Sequence, residues 1–169
     1  MADYHQMWKD LGMDVETHDQ LCEVLPQACG DVYLSQENRP EGMDYYNFVV
    51  AEIHGVRPAE LIEHQKKGGK VFGTFCVYVP DEIVFAADAI ATGLCGGSQF
   101  WVPGGEKVLP TNTCPLIKAS VGARLDRTCP FFRIADMYVG ETTCDGTKKA
   151  WEILAEDVPD HVMDLPQMK

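Results

Sequence analysis

The sequence of 169 residues has no long apolar run and few basic residues. No window approaches the roughly 18 consecutive apolar residues of a membrane-spanning helix. The start, Met-Ala-Asp-Tyr-His, lacks the basic region and apolar stretch of a secretory signal, so we expect a cytoplasmic protein. Lys and Arg number 14 against 26 Asp and Glu, a net charge of −12. Because nucleic acids and anionic membranes are bound through clustered basic residues, neither is expected as a partner.

The seven cysteines contain no Cys-x-x-Cys pair. This absence excludes a zinc ribbon and a thioredoxin-type redox motif. The compact cysteine runs of ferredoxins are absent as well. Stable disulfides are rare in a reducing cytosol, where cysteines serve as buried apolar residues, metal ligands or catalytic thiols. The positions of the cysteines in the fold therefore decide between these roles.

The chain divides near Gly68 and Gly69. Residues 1–69 form a segment predicted to be mostly helical, because apolar residues recur at helical spacing from Asp44 to Ile53 and from Pro58 to Lys67. Residues 1–40 show no clear pattern. Residues 70–169 form the second part, which we interpret as a separate domain.

In this second part, strand-like and helix-like stretches alternate. Helices are predicted from Pro80 and over Lys148–Asp157, and short apolar runs predict strands over Lys70–Val77, Ala91–Cys95, Asp136–Gly140 and His161–Leu165. The alternation indicates an α/β fold, a Rossmann-like parallel sheet with flanking helices, preceded by the helical N-terminal segment. In such sheets the chemistry lies at the carboxyl ends of the strands.

Five cysteines lie where that chemistry belongs. Cys76 and Cys95 end the first two predicted strands, and Cys144 lies in the turn after the third. Cys114 and Cys129 each precede a proline, which keeps a residue extended and frees its thiol from helix packing. Thiolates gathered at one end of a domain hold iron, and loop N–H groups can bond cluster sulfides. We therefore predict an iron–sulfur site, with small buried apolar residues as the alternative.

Six strings occur in order along the second part: Gly-Thr-Phe-Cys76-Val-Tyr-Val-Pro-Asp-Glu, Gly-Leu-Cys95-Gly-Gly, Leu-Pro-Thr-Asn-Thr-Cys114-Pro-Leu-Ile-Lys118, Cys129-Pro-Phe-Phe, Gly-Glu141-Thr-Thr-Cys144-Asp-Gly146 and His161-Val-Met-Asp-Leu-Pro166-Gln. Together they resemble the superfamily of 2-hydroxyacyl-CoA dehydratases (D-component) and benzoyl-CoA reductases. Within it, the resemblance is closest to the double-cubane-cluster proteins.

The resemblance implies an oxygen-sensitive iron–sulfur protein of anaerobic metabolism. A separate ATP-hydrolysing iron–sulfur activator would supply it with low-potential electrons. In the double-cubane branch, the proteins are ATP-dependent reductases of small molecules. The alternatives are a dehydratase or benzoyl-CoA reductase subunit with a single 4Fe-4S cluster, and a non-catalytic α/β module. Pairing with itself as a homodimer or with a related subunit stays open.

By the same resemblance, Cys114 and Cys144 match cluster ligands common to the superfamily, and Cys76 and Cys129 match additional ligands of the double-cubane branch. Cys95 is either a further ligand or a packed strand residue. Family chains are longer and place more cysteines in a second α/β domain. We therefore expect an N-terminal fragment that cannot complete a cluster alone and exposes an apolar patch.

A few other residues have two interpretations each. Lys118 either neutralises the charge of a cluster or an anionic ligand, or is a surface lysine on a helix. Glu141 and Asp145 either relay a proton or cap the following helix, and Asp145 suits the cap better. Cys22 and Cys29 lie outside the resemblance and are expected to be small packed residues. The histidines show no ligand spacing: His5, His18, His54, His64 and His161.

Overall fold

The computed structural model describes residues 4–75, 78–94, 96–156 and 158–166. The elements of the N-terminal part are α1 (His5–Asp10), α2 (Val15–Cys29) continued by a π-helical turn (Gly30–Leu34), α3 (Met43–Ala51) and α4 (Val56–Lys66). Those that follow are β1 (Lys70–Thr74), α5 (Asp81–Ala86), β2 (Ala89–Gly93), a 3-10 turn (Gln99–Trp101), α6 (Val102–Gly105), α7 (Pro115–Leu125), α8 (Pro130–Ile134), β3 (Met137–Glu141), α9 (Asp145–Leu154) and β4 (Asp160–Met163).

The four strands form one parallel sheet in the order β2-β1-β3-β4. In the register, Gly73 of β1 faces Thr92 of β2 on one side and Tyr138 of β3 on the other. Helices precede the sheet in the chain and connect its strands. The predicted α/β class, with a parallel sheet and a helical N-terminal segment, is confirmed.

The two faces of the sheet carry apolar clusters of different size. The larger cluster contains Val71 and Tyr138 from the strands, together with side chains of α7, α8 and α9. A smaller cluster on the other face contains Val79, Val84 and Ala89. Because successive strand residues point to opposite faces, Tyr138 and Gly140 belong to the first face, and Val139 and Glu141 to the second.

Residues 4–69 contain helices and turns and no strand. Helices α1 and α2 occupy a stretch in which the sequence showed no pattern. The segment is bound to the α/β part by hydrogen bonds: Asp14 N donates to Arg127 O at 2.9 Å, and Arg133 Nε donates to Leu11 O at 2.9 Å. The side chain of Asp14 also accepts from Thr17 N at 3.1 Å and so caps α2.

Helix α3 has the predicted position but leaves its apolar side chains in solvent. Tyr45, Phe48 and Val50 are 69%, 57% and 48% exposed. The π-helical turn also exposes apolar side chains, those of Val32, Tyr33 and Leu34. Within the described ranges, no helix combines the length and apolar character needed to cross a bilayer.

Several predicted boundaries shift, and those next to the cysteines matter most for the site. Strand β1 ends at Thr74 and β2 ends at Gly93, so both end before the cysteines that follow them. Helix α9 begins at Asp145, three residues before the predicted start, because Cys144 caps it.

Candidate functional site

The strand order reverses between β1 and β3. The chain passes from β1 outward to β2 and then returns to place β3 on the other side of β1. At such a reversal the connections leave in opposite directions, and ligands of open α/β sheets bind there. Phe75, directly after β1, contacts the ring of Trp151 edge-on at 5.0 Å. Cys144 follows β3 at the same edge.

Cys144 is the N-cap of α9, and its thiol is exposed. Its Sγ accepts a hydrogen bond from Thr147 N at 3.4 Å and lies 3.0 Å from Thr147 Oγ1. These bonds from the Thr147 side chain and backbone lower the pKa of Cys144 below its usual range. The lowered pKa favours the thiolate form of Cys144, which is the form of cysteine that binds metals.

Cys114 is the N-cap of α7, and it too is exposed. Its backbone is extended, with a ψ of 129°, and Pro115 opens the helix. The extended conformation predicted before this proline is confirmed. Helix α7 packs against α9, so the two cysteines begin neighbouring helices.

Gly146 lies where these two helix starts meet. A Cβ built on Gly146 would lie 2.7 Å from Ile117 Cδ1, 3.8 Å from Thr113 Cγ2 and 3.9 Å from Cys144 Sγ. The residue before Cys114 and the thiol of Cys144 therefore border the same small space. The structure thus places Cys114 and Cys144 at the starts of two packed helices, with Thr113 Cγ2 and Cys144 Sγ both within 4 Å of the Cβ built on Gly146.

Lys118 orders the loop that leads to Cys114. Its side chain is 6% exposed, so the interpretation as a surface lysine is wrong. Its Nζ donates to Glu106 Oε1 at 2.6 Å and to Thr111 O at 2.8 Å. The ammonium is thus paired within the protein, and it connects α7 to residues 106–111.

Cys129 lies elsewhere. It is buried in the larger apolar cluster. Thr128 N donates to Ala123 O, which keeps the residue before Cys129 at the last turn of α7. The 11 residues of α7 rise about 16 Å from Cys114, so Cys129 is at the far end of that helix. Its ligand role stays a prediction, and the predicted ligand Cys76 and the uncertain Cys95 lie outside the described residues.

Glu141 and Asp145 flank Cys144 in very different environments. Asp145 is exposed, and its Oδ1 lies 3.5 Å from Lys148 Nζ. The N-cap position that Asp145 was expected to fill belongs to Cys144. Glu141 is fully buried at the end of β3. Neither of its carboxylate oxygens has a hydrogen-bond partner among the described residues. A buried carboxylate without a donor is costly, which points to a role other than stability.

The sequence analysis missed a second group of metal-binding side chains. His18 Nε2 lies 2.8 Å from His54 Nδ1, and Cys22 Sγ lies 3.7 Å from His18 Nε2. Burial, with the neighbouring His18, lowers the pKa of His54 to about 4, and burial also lowers the pKa of His18. The local signal was the spacing of His18 and Cys22, four residues apart on one helix.

The architecture is that of an α/β domain with two cysteines at helix N-cap positions near the reversal of strand order. The family model of the 2-hydroxyglutaryl-CoA dehydratase D-component matches residues 76–169, more than half of the chain. The chain therefore belongs to this family, and the predicted resemblance to the superfamily is confirmed, whereas the double-cubane branch stays a prediction. A protein of Escherichia coli (strain K12) with the name Putative dehydratase subunit YjiM is 45% identical over 106 residues. The match covers 63% of this chain and 28% of that relative.

Proposed function

We propose that this chain is the iron–sulfur-bearing component of an ATP-dependent reductase or dehydratase of this family, with Cys114 and Cys144 as cluster ligands. The observation that carries the proposal is that both cysteines are exposed and stand at the N-caps of two helices that pack against each other. Electrons would come from a separate ATP-hydrolysing iron–sulfur activator, as the family resemblance implies. The natural assembly would be a homodimer or a pair with a related subunit, in the cytoplasm.

The donor set suits an iron–sulfur cluster. Cysteine thiolates are the usual protein ligands of such clusters, and both thiols are accessible. A cluster with its thiolates carries negative charge, which the N-termini of α7 and α9 stabilise through their helix dipoles and free N–H groups. Gly146 lets the starts of α7 and α9 approach closely, since a Cβ at this position would fall 2.7 Å from Ile117 Cδ1. When bound, the cluster would supply low-potential electrons.

The remaining residues of this edge would hold the site in shape. Lys118 fixes the loop before Cys114 through Glu106 and Thr111. Thr147 orients the thiol of Cys144. Glu141 is buried, and its carboxylate oxygens have no donor in the described part of the chain. These oxygens would accept and return a proton.

The position of Cys129 bears on the type of cluster. The double-cubane type requires Cys76 and Cys129 in addition to the two common ligands. Cys129 is 8% exposed and stands at the opposite end of α7 from Cys114. This placement favours the second candidate, a dehydratase-type component with a single 4Fe-4S cluster.

The test is iron and acid-labile sulfide per chain after anaerobic reconstitution, both in this chain alone and in the complete assembly that would supply the remaining ligands. We expect Cys114→Ser and Cys144→Ser each to lose most of the iron. Cys29→Ser, a change of a thiol in the helical segment, serves as the matched control and should keep it. Unchanged iron in both Cys114→Ser and Cys144→Ser would refute the proposal.

The variant Cys129→Ser separates the two cluster types in the same experiment. If the site is a single 4Fe-4S cluster, this variant keeps the iron and sulfide of the parent chain. A loss comparable to that of Cys114→Ser would instead support the double-cubane type. Circular dichroism of each variant shows whether a loss of iron follows from a loss of fold.

A further inference from the structure

The helical N-terminal segment contains a cluster of metal-binding side chains that is separate from the cysteines of the α/β domain. His18 and Cys22 stand on α2, and His54 lies in the turn between α3 and α4. One ligand atom from each residue lies within 4.8 Å of the other two. The spacing of four residues puts His18 and Cys22 on one face of the helix.

We propose that His18, Cys22 and His54 form a binding site for a divalent transition metal ion of the zinc class. The site is independent of the proposed iron–sulfur function. Two imidazole nitrogens and one thiolate suit zinc and cobalt, whereas magnesium and calcium prefer oxygen ligands. Three protein ligands leave a fourth tetrahedral position for water.

The distances already approach those of a tetrahedral site. With metal–nitrogen bonds of about 2.0 Å and metal–sulfur bonds of about 2.3 Å, ligand atoms stand ~3.3 Å apart for two nitrogens and ~3.6 Å apart for nitrogen and sulfur. The Cys22 Sγ to His18 Nε2 distance of 3.7 Å matches the second value. The two histidines are closer, at 2.8 Å, because a hydrogen bond joins them. A metal requires these rings to separate by about half an ångström.

The proton balance of metal binding is simple. In the absence of metal, one imidazole donates its N–H to the other. On binding, that proton moves to the other nitrogen of the same ring, and the metal takes the two facing lone pairs. The thiol of Cys22 loses its proton to solvent. One proton is therefore released for each metal ion bound.

The surroundings hold the two rings in place. His18 is fully buried, and its ring lies 4.2 Å from the ring of Trp8. Trp8 Nε1 donates to the backbone oxygen of His54 at 2.8 Å, which fixes the turn that carries His54. The ring of Phe131 contacts His54 edge-on at 6.4 Å from the α/β side. Cys22 is half-buried, so an ion reaches the site from its side.

A bound ion would fasten α2 to the turn before α4. The contact between His18 and His54 joins these two elements, and the two residues are 36 positions apart in the chain. Binding energy gained only in the folded state adds to folding stability. The expected role of the ion is therefore to stabilise the helical N-terminal segment by joining two of its elements.

The test is a cobalt titration of the full chain after removal of metals with a chelator. Bound Co²⁺ reports a thiolate ligand through a sulfur-to-metal charge-transfer band in the near ultraviolet. We expect one Co²⁺ per chain with this band, displaced by Zn²⁺. Cys22→Ser should abolish the band and weaken Zn²⁺ binding at least about tenfold.

Two matched variants locate the site. Cys29→Ser changes another cysteine of α2, and Cys114→Ser changes a proposed iron ligand, and both should keep the band. Zn²⁺ should raise the melting temperature of the parent chain and of Cys29→Ser, but not of Cys22→Ser. The proposal is overturned if the parent chain shows no band at stoichiometric Co²⁺, or if Cys22→Ser retains it.

Discussion

Lys118 Nζ lies 2.6 Å from Glu106 Oε1. Lys118 belongs to α7, and the residues next to it in this helix are buried. The lysine is 6% exposed and the glutamate 36%, so the two partners differ in their access to water. We expect Glu106→Gln to lower the free energy of unfolding by about 1–3 kcal/mol, because a buried charge loses its partner. Urea unfolding followed by circular dichroism measures this change.

The matched variant for this pair is Lys118→Met, which removes the charge but keeps the length of the side chain. The remaining Glu106 carboxylate can turn to solvent, so this variant should cost less than Glu106→Gln. In the double variant the two losses should not add, because the residues share one interaction. If Glu106→Gln lowers the free energy of unfolding by no more than Lys118→Met does, the expected difference between the buried and the accessible partner is wrong.

A second prediction concerns acid stability and Asp136. Burial would raise the pKa of this carboxyl, but hydrogen bonds from Gln65, Val71 N and Lys70 outweigh it and hold the pKa below 3.8. The unfolded chain therefore takes up this proton first as the pH falls. The stability from Asp136 is fully present above its ordinary pKa and is lost as the pH falls through the lowered one.

Asp136→Asn should lower the free energy of unfolding at pH 7 by about 1–3 kcal/mol, since hydrogen bonds to a charged group are lost. The difference from the parent chain should begin to shrink as the pH falls below about 4, where the unfolded chain takes up the proton first, and should shrink further until the folded chain is protonated as well. Gln65→Met removes one of the donors and should have a smaller effect of the same sign. Urea unfolding at several pH values would refute the prediction if the difference stayed constant.

A third prediction tests the packing of α9 on β3. A Cβ built on Gly140 would fall 1.5 Å from Cζ2 of Trp151, which is buried. Gly140→Ala should lower stability by about 1–3 kcal/mol, because the indole ring must move in a packed core. Gly97→Ala is the control, since nothing lies within 4 Å of its built Cβ. Thermal melts that shift equally for both variants would contradict this account.

The alternation of elements after Lys70 was predictable because each strand is a short apolar run between helical stretches. The cysteines show the limit of such patterns. Cys114 and Cys129 both precede a proline and both have extended backbones. One is exposed at the edge of the sheet, whereas the other is buried in the core. Tertiary packing, which a Cys-Pro pair does not encode, makes this difference.

Helices α1 and α2 of the N-terminal segment were not predicted, for a similar reason. Helix α1 is short, and its buried residue Trp8 packs against His18 and bonds to the backbone of His54, 46 residues away. The same long-range contact brings His54 to His18 and Cys22. No spacing within a single helix could place His54 there. The pairing of Lys118 with Glu106 is likewise a tertiary contact, through a loop.

The last prediction concerns Glu141, whose carboxylate is fully buried and has no donor among the residues that the structure describes. If this group serves proton transfer, the fold carries it at a cost in stability. Glu141→Leu removes the unpaired polar atoms and keeps a similar volume, so it should raise the free energy of unfolding by about 1 kcal/mol or more. Its iron content after reconstitution should equal that of the parent chain, because Glu141 is not a proposed ligand. Turnover, assayed in the complete assembly with its activator, should fall at least about 100-fold. A variant that is less stable than the parent chain would show that the carboxylate has a structural partner, and full turnover would exclude the proton-transfer role.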